Sequence, residues 1–101
     1  MAQETGKCPD VLSRIRRGAK DGHILFTRHA DERCHQRGVD YADVKRVLLK
    51  GQREEEKDRY DAKHGGWSYA MKGTTLDEDC LRVVVVLKAP GLLVVTVYLV
   101  D

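Results

Sequence analysis

The order of patterns along this chain predicts an α+β domain, with N-terminal helices packed on one face of a small antiparallel sheet of about four strands. Apolar residues recur at helical spacing through the first half of the chain. They alternate at strand spacing, or run continuously, through the second half. The helices come first and a run of adjacent strands follows, which predicts segregated layers.

The elements follow in order. Residues 1–9 read as a polar, flexible tail, and residues 10–101 as the single domain. Asp10 is placed to cap a helix through "VLSRIRRGAK", with Val11, Leu12 and Ile15 as its apolar stripe. "KDGH" breaks it, and "ILF" is a short extended piece. Thr27 is the N-cap of the next helix, Asp31 and Glu32 favour its dipole, and Gly38 closes it. Asp40 caps "YADVKRVLLK", where Tyr41, Val44, Val47 and Leu48 form an amphipathic row, and Gly51 ends it. "REEEKDRYD" reads as an edge strand protected by its charge. "GGWSYAMKG" alternates Trp67, Tyr69 and Met71 against Ser68, Ala70 and Lys72. "TTLDEDC" is a turn, and "LRVVVVLK" and "LLVVTVYLV" are strands joined at "APG".

Alternation places Leu81, Val83, Val85 and Leu87 on one face, with Leu93, Val95, Val97 and Leu99 beside them as the core under the helices. Arg82, Thr96 and Tyr98 then lie on the opposite face, which suits phosphate and base contacts as well as plain solvation. Trp67 is either a stacking platform for a base or a lid on the core.

Composition narrows the class. With 42% hydrophobic and 34% charged residues, the 101-residue chain is globular rather than disordered. A net charge of +2 makes the distribution of charge matter more than its sum. Three widely spaced cysteines without a CxxC suggest a reducing cytoplasm. The N-terminus has no apolar h-region, so no signal peptide is expected, and no apolar run is long enough to span a bilayer. Cys8, Cys34, Cys80, His29, His35 and His64 lack the spacing of a zinc motif, so neither metal nor cofactor is expected.

The stretch "TRHADERCHQRG" carries the chemistry. His29, Arg33 and Arg37 fall at i, i+4 and i+8 on nearly one helix face, with Ala30 and Cys34 on the packing side. A titratable imidazole beside two permanent cations suits RNA cleavage through the 2′-hydroxyl, which needs a proton-transfer group and cations for the phosphorane. The alternative is a solvated helix whose arginines pair with Asp31, Glu32 or Asp40. Cys34 is placed for packing rather than as a nucleophile.

Together, "ILFTRHADERCHQRGVDYADVKRVLLKG", "GGWSYAMKG", "LRVVVVLK" and "GLLVVTVYLV" resemble the prokaryotic family called domain of unknown function 4258. The matching features are Thr27, His29, Ala30, Arg33, Arg37 and the "LLKG" ending at Gly51. The resemblance spans about residues 10–101. The element order is also similar to the RelE and MqsR toxins. That likeness implies a metal-independent endoribonuclease, a toxin of a toxin–antitoxin pair, acting on free or ribosome-bound mRNA and paired with an antitoxin protein. In MqsR-like proteins a lysine opens the sheet, a place that Lys57 takes here, while Ser68 stands where a glutamine follows the tryptophan and Leu81 or Arg82 where they have tyrosine.

The expected catalytic set is therefore His29, Arg33, Arg37, Lys57 and Arg82, with Lys72, Tyr69, Thr96, Tyr98 and Trp67 as RNA contacts. The alternative function is a non-catalytic RNA- or protein-binding module, in one form an assembly part whose C-terminal strand pairs with another chain.

Overall fold

The computed structural model describes residues 7–100 and has three helices against one mixed sheet. The elements are α1 (Val11–Asp21), β1 (Ile24–Phe26), α2 (Arg28–Arg37), α3 (Tyr41–Lys50), β2 (Gln52–Arg53), β3 (Arg59–Asp61), β4 (Gly66–Thr74), β5 (Cys80–Lys88) and β6 (Gly91–Leu99). The class is α+β, but the sheet has six strands where about four were expected. Its order is β1-β6-β5-β4-β2, with β3 also on the outer edge of β4. The added strands are short, and β1 runs parallel to β6.

The capping chemistry acts as the sequence predicts at α2, where the Thr27 hydroxyl accepts from the Ala30 backbone N–H at 3.0 Å and Gly38 closes the helix at φ 66°. At α3 the Asp43 carboxylate accepts from the Asp40 N–H at 3.1 Å. Asp10 precedes α1 without capping it; its carboxylate takes the Cys8 thiol and the Arg14 guanidinium instead.

Helices α1 and α3 lie on one face of the sheet, α1 over β6 and α3 over β4 and β5. Ile15, Val44, Val47, Leu48, Met71, Leu81, Val83 and Val85 are buried between them. α1 comes so close to β6 that a Cβ on Gly18 would lie 2.8 Å from Leu92 Cγ. At Gly91, where β1 joins the sheet, a Cβ would collide with the His23 backbone.

The core register of β6 differs from the alternation expected. Val84 pairs with Thr96 and Val85 with Val94, so Val95 is an extra residue in β6. This bulge reverses the faces on its N-terminal side. Leu92 and Val94 are buried at 1% and 0% exposure, whereas Leu93 and Val95 are only half-buried. Val97 stays in the core, while Leu99 is 44% exposed at the sheet's end.

The charged stretch after Gly51 is also not a single edge strand. It is β2, a 3-10 turn at Glu55–Lys57 and β3, and two of its acids are buried. Asp58, with no exposed side-chain surface, takes Arg53 at 2.5 and 3.1 Å, the Ala70 N–H at 3.0 Å and Lys7 at 3.0 Å. Lys7 and Cys8 are thus part of the fold rather than tail, since the Cys8 N–H also donates to the Tyr69 hydroxyl at 2.9 Å. Residues 1–6 of the expected tail lie outside the described residues.

Burial pushes the Asp58 carboxyl up, but the Arg53, Ala70 and Lys7 contacts outweigh it and hold it below its ordinary value. A depressed folded-state pKa gives stability that is present above about pH 4 and lost as pH falls through the folded value. Urea midpoints measured between about pH 6 and about pH 2 should fall toward acid. Asp58→Asn should lower the midpoint at pH 6 and flatten the acid fall; an unchanged acid slope would assign the fall to other carboxylates.

Candidate nucleic-acid interface

The candidate site lies on the far face of the sheet, turned away from α1 and α3. Cross-strand neighbours point to the same face. Lys72 pairs with Arg82, and Arg82 with Tyr98, so the three side chains form one row across β4, β5 and β6. At the usual strand separation the row is about 10 Å long. Val84 and Thr96 form the neighbouring pair on that face.

His29 reaches this face from outside the sheet. β1 covers only Leu92–Val94 of β6, and beyond Phe26 the chain turns into α2. Thr27 fixes the turn, its N–H donating to the Val94 carbonyl at 3.0 Å and its hydroxyl to the Val95 carbonyl at 3.3 Å. α2 then packs along β6, burying Ala30 and Cys34 in the core. The neighbouring position, His29, comes to the edge of the far face, its Nε2 3.3 Å from the Thr96 hydroxyl. The imidazole is exposed. Because same-face residues two apart on a strand are about 7 Å apart, His29 stands within reach of a group lying over Tyr98 and Arg82.

The row's charge is organised by a residue that the strand reading of "REEEKDRYD" missed. Glu54, 8% exposed, takes Arg82 at 2.5 Å (Nε) and 3.0 Å (Nη2), with Lys72 at 3.7 Å. The Arg82 guanidinium holds the Glu54 carboxyl below its ordinary value, against the opposing effect of burial. Arg82 is raised by Glu54 in turn and stays a cation. Its guanidinium carbon lies 5.2 Å from the Tyr98 ring centroid. Arg82 is therefore not the unengaged phosphate ligand that alternation suggests. It is a cation clamped by Glu54, and the clamp fixes where its remaining donors point. Lys57, exposed on the 3-10 turn, is close enough to act on the Glu54 carboxylate. The only signal for Glu54 in the sequence is an acid run beside a strand, which reads equally well as solvated charge.

On α2, neither Arg33 nor Arg37 makes an ion pair among the described residues. The pairing with Asp31, Glu32 or Asp40 that would make this an ordinary surface helix is absent there: Asp31 turns to His35 and to the Tyr41 hydroxyl. Arg33 Nε is buried without a hydrogen-bond partner among the described residues. Arg33 sits one turn from His29 and Arg37 two turns away, at the end of the helix.

Two expected RNA contacts are on the wrong side. Tyr69 and Trp67 share the helix face with Met71, and Tyr69 is 3% exposed. Its ring cannot stack on a base. Trp67 is half-buried against the core under the Lys7 ammonium, 4.9 Å from its ring centroid, with Tyr60 at its edge; it is a lid. Alternation separated these two from Ser68, Ala70 and Lys72, but only the pairing with β5 shows which set faces the helices. The far face thus unites His29, Thr96, Tyr98, Arg82 and Lys72.

β6 pairs along its length with β5, and β1 covers its other edge only at Leu92–Val94. Among the described residues no three His, Cys, Asp or Glu side chains gather as a metal site would require, and no helix is long and apolar enough to cross a membrane. Neither a curated protein nor a solved structure matches the chain. A family described as a domain of unknown function (DUF4258) matches residues 26–99, from the end of β1 through β6 and including every far-face residue named above. The chain belongs to the DUF4258 family.

Proposed function

We propose that the far face binds single-stranded RNA and cleaves it without a metal, in the manner of RelE- and MqsR-like endoribonucleases, with the protein acting in the cytoplasm as the toxin of a toxin–antitoxin pair. The observation that carries the reading is the contact between His29 and Thr96, which puts a proton-transfer group on the face that holds Tyr98, Arg82 and Lys72. In this mechanism His29 takes the proton of the 2′-hydroxyl or supplies one to the leaving oxygen. The attacking oxygen belongs to the substrate, so the product is a 2′,3′-cyclic phosphate. Arg82, held by Glu54, and Lys72 face the developing charge on the phosphorane. Arg33, Arg37 and Lys57 hold neighbouring phosphates, and Tyr98 offers a ring for a base.

A second reading has its own support. Glu54 occupies two of Arg82's nitrogens, which weakens a direct grip on a reacting phosphate and suits a module that binds RNA or an antitoxin protein without cutting. Incubation of the purified protein with RNA in EDTA, alone and with ribosomes, separates the two. Fragments ending in 2′,3′-cyclic phosphate support the nuclease; intact RNA under both conditions leaves the binding module.

Affinity should depend on salt through the unpaired cations. For a single-stranded oligonucleotide, log affinity against log salt should have a slope of about −0.7 per neutralised phosphate. Arg33→Ala and Arg37→Ala should each make it shallower by about the share of one phosphate. Arg82→Ala is a poor probe of that slope, since it also strips the buried Glu54 of its main partner and leaves it only the more distant Lys72 at 3.7 Å. Salt-independent binding would count against a phosphate-tracking surface.

A further inference from the structure

Beyond the far-face row, the cations continue around the sheet edge. Between the end of α3 and the ends of β2 and β4 lies a hollow lined by Arg46, Lys50, Gln52, Lys72, Thr74 and Cys80 over glycine backbone. Among the described residues no carboxylate lines it. The hollow between α1 and the β5–β6 turn is also basic, but Asp10 sits in it and pairs with Arg14. Neither the Arg46 nor the Lys50 side chain has a hydrogen bond or ion pair among the described residues.

A helix C-terminus would ordinarily repel an anion here, because its last carbonyls are partly negative. In α3 that end is already answered. The Arg16 guanidinium donates from Nη1 to the Leu49 carbonyl and from Nη2 to the Gly51 carbonyl, the latter at 3.0 Å. Lys50 is therefore not needed to complement the helix and is left to face the hollow. Gly51 and Gly73 form its floor, where a Cβ on Gly51 would lie 2.6 Å from the Lys72 carbonyl oxygen, so the floor carries no side chain that could fill the space.

Lys72 joins the two regions. It pairs across strands with Arg82 on one side and with Gln52 on the other. A strand laid over His29, Tyr98 and Arg82 therefore meets Lys72 next and then the hollow. We infer that this hollow is a phosphate subsite for the RNA strand flanking the far-face site, with Arg46 and Lys50 as its cations and Gln52 and Thr74 as neutral donors. The inference rests on the RNA reading of the far face, and extends it by giving the bound strand a defined exit path around the β2 edge.

The test uses a fluorescent 2′-O-methyl oligonucleotide of about a dozen residues, which can bind but cannot be cut. Arg46 and Lys50 are exposed, so the double variant Arg46→Ala/Lys50→Ala should melt as the wild type does. Its affinity for the oligonucleotide should fall about tenfold at low salt, with the salt slope shallower by about 0.7 for each phosphate that is no longer neutralised. The loss should shrink for a dinucleotide too short to reach from His29 to the hollow. Wild-type affinity and slope in the double variant overturn the subsite. So does displacement of the oligonucleotide by inorganic phosphate far beyond chloride at matched ionic strength, which would mark a site for a free anion. A wild-type protein that binds the oligonucleotide but cuts no RNA removes the nuclease and leaves the subsite standing. A wild-type protein that binds no RNA overturns both.

Discussion

His29→Ala should lower the rate of RNA cleavage by roughly a hundredfold to ten-thousandfold while hardly changing the affinity for RNA. That is the size expected when one general acid–base group is lost, and it should appear in kcat rather than in binding. The exposed imidazole lies at the edge of the far face beside the Thr96 hydroxyl, where it can reach a substrate proton but carries little of the fold. His35 supplies the control. It lies on the same helix, is likewise exposed, and donates from Nδ1 to the Asp31 carbonyl at 2.9 Å, away from the sheet. His35→Ala should be nearly silent. Measurement in EDTA of initial rates and of the 2′,3′-cyclic end for both variants decides the assignment. Equal losses in the two variants, or a requirement for a divalent cation, would end the case for His29 as the proton-transfer residue.

Val94→Asp should abolish the cooperative fold, whereas Val95→Asp, one residue along the same strand, should remain folded with a modest loss. Val94 has no exposed surface and sits in the core cluster with Val85 and Val97. A carboxylate there loses its hydration without gaining a partner, at a cost of several kcal/mol, about the whole stability of a domain this size. Val95 is the extra residue of the bulge and is only half-buried, so its carboxylate can keep water. Circular dichroism melts of the two variants read the difference directly. A Val95→Asp protein that unfolds while Val94→Asp melts cooperatively would place the bulge elsewhere.

This bulge also marks where the sequence stopped being sufficient. Period-two alternation along "LLVVTVYLV" offers two faces that are equally apolar through Val95, so nothing local chooses between Val94 and Val95 for the core. The choice comes from β5 and α1: Leu92 must meet Gly18, and Val97 must pair with Val83, and one extra residue between them satisfies both.

What the sequence determined by itself is local in origin. Caps and breakers placed α2 and α3, because Thr27, Gly38 and Gly51 act on backbone groups within a few residues of themselves, and the apolar stripe of Val11, Leu12 and Ile15 placed α1. The shift from helical to strand periodicity gave the α+β class, and helical spacing put His29, Arg33 and Arg37 in one row with Ala30 and Cys34 on the packing side. Tertiary structure decided everything that depends on a distant partner. It turned Trp67 and Tyr69 toward the helices and Lys72 to the far face beside Arg82, Thr96 and Tyr98, which alternation already sets opposite the core, because the two faces of β4 are distinguished only by what packs on them. It brought His29 to Thr96 across 67 positions of chain. It also buried Glu54 against Arg82, and Asp58 against Arg53 and Lys7, which charge alone cannot announce: an acid is placed inside only when a fold supplies the cation that compensates its lost hydration.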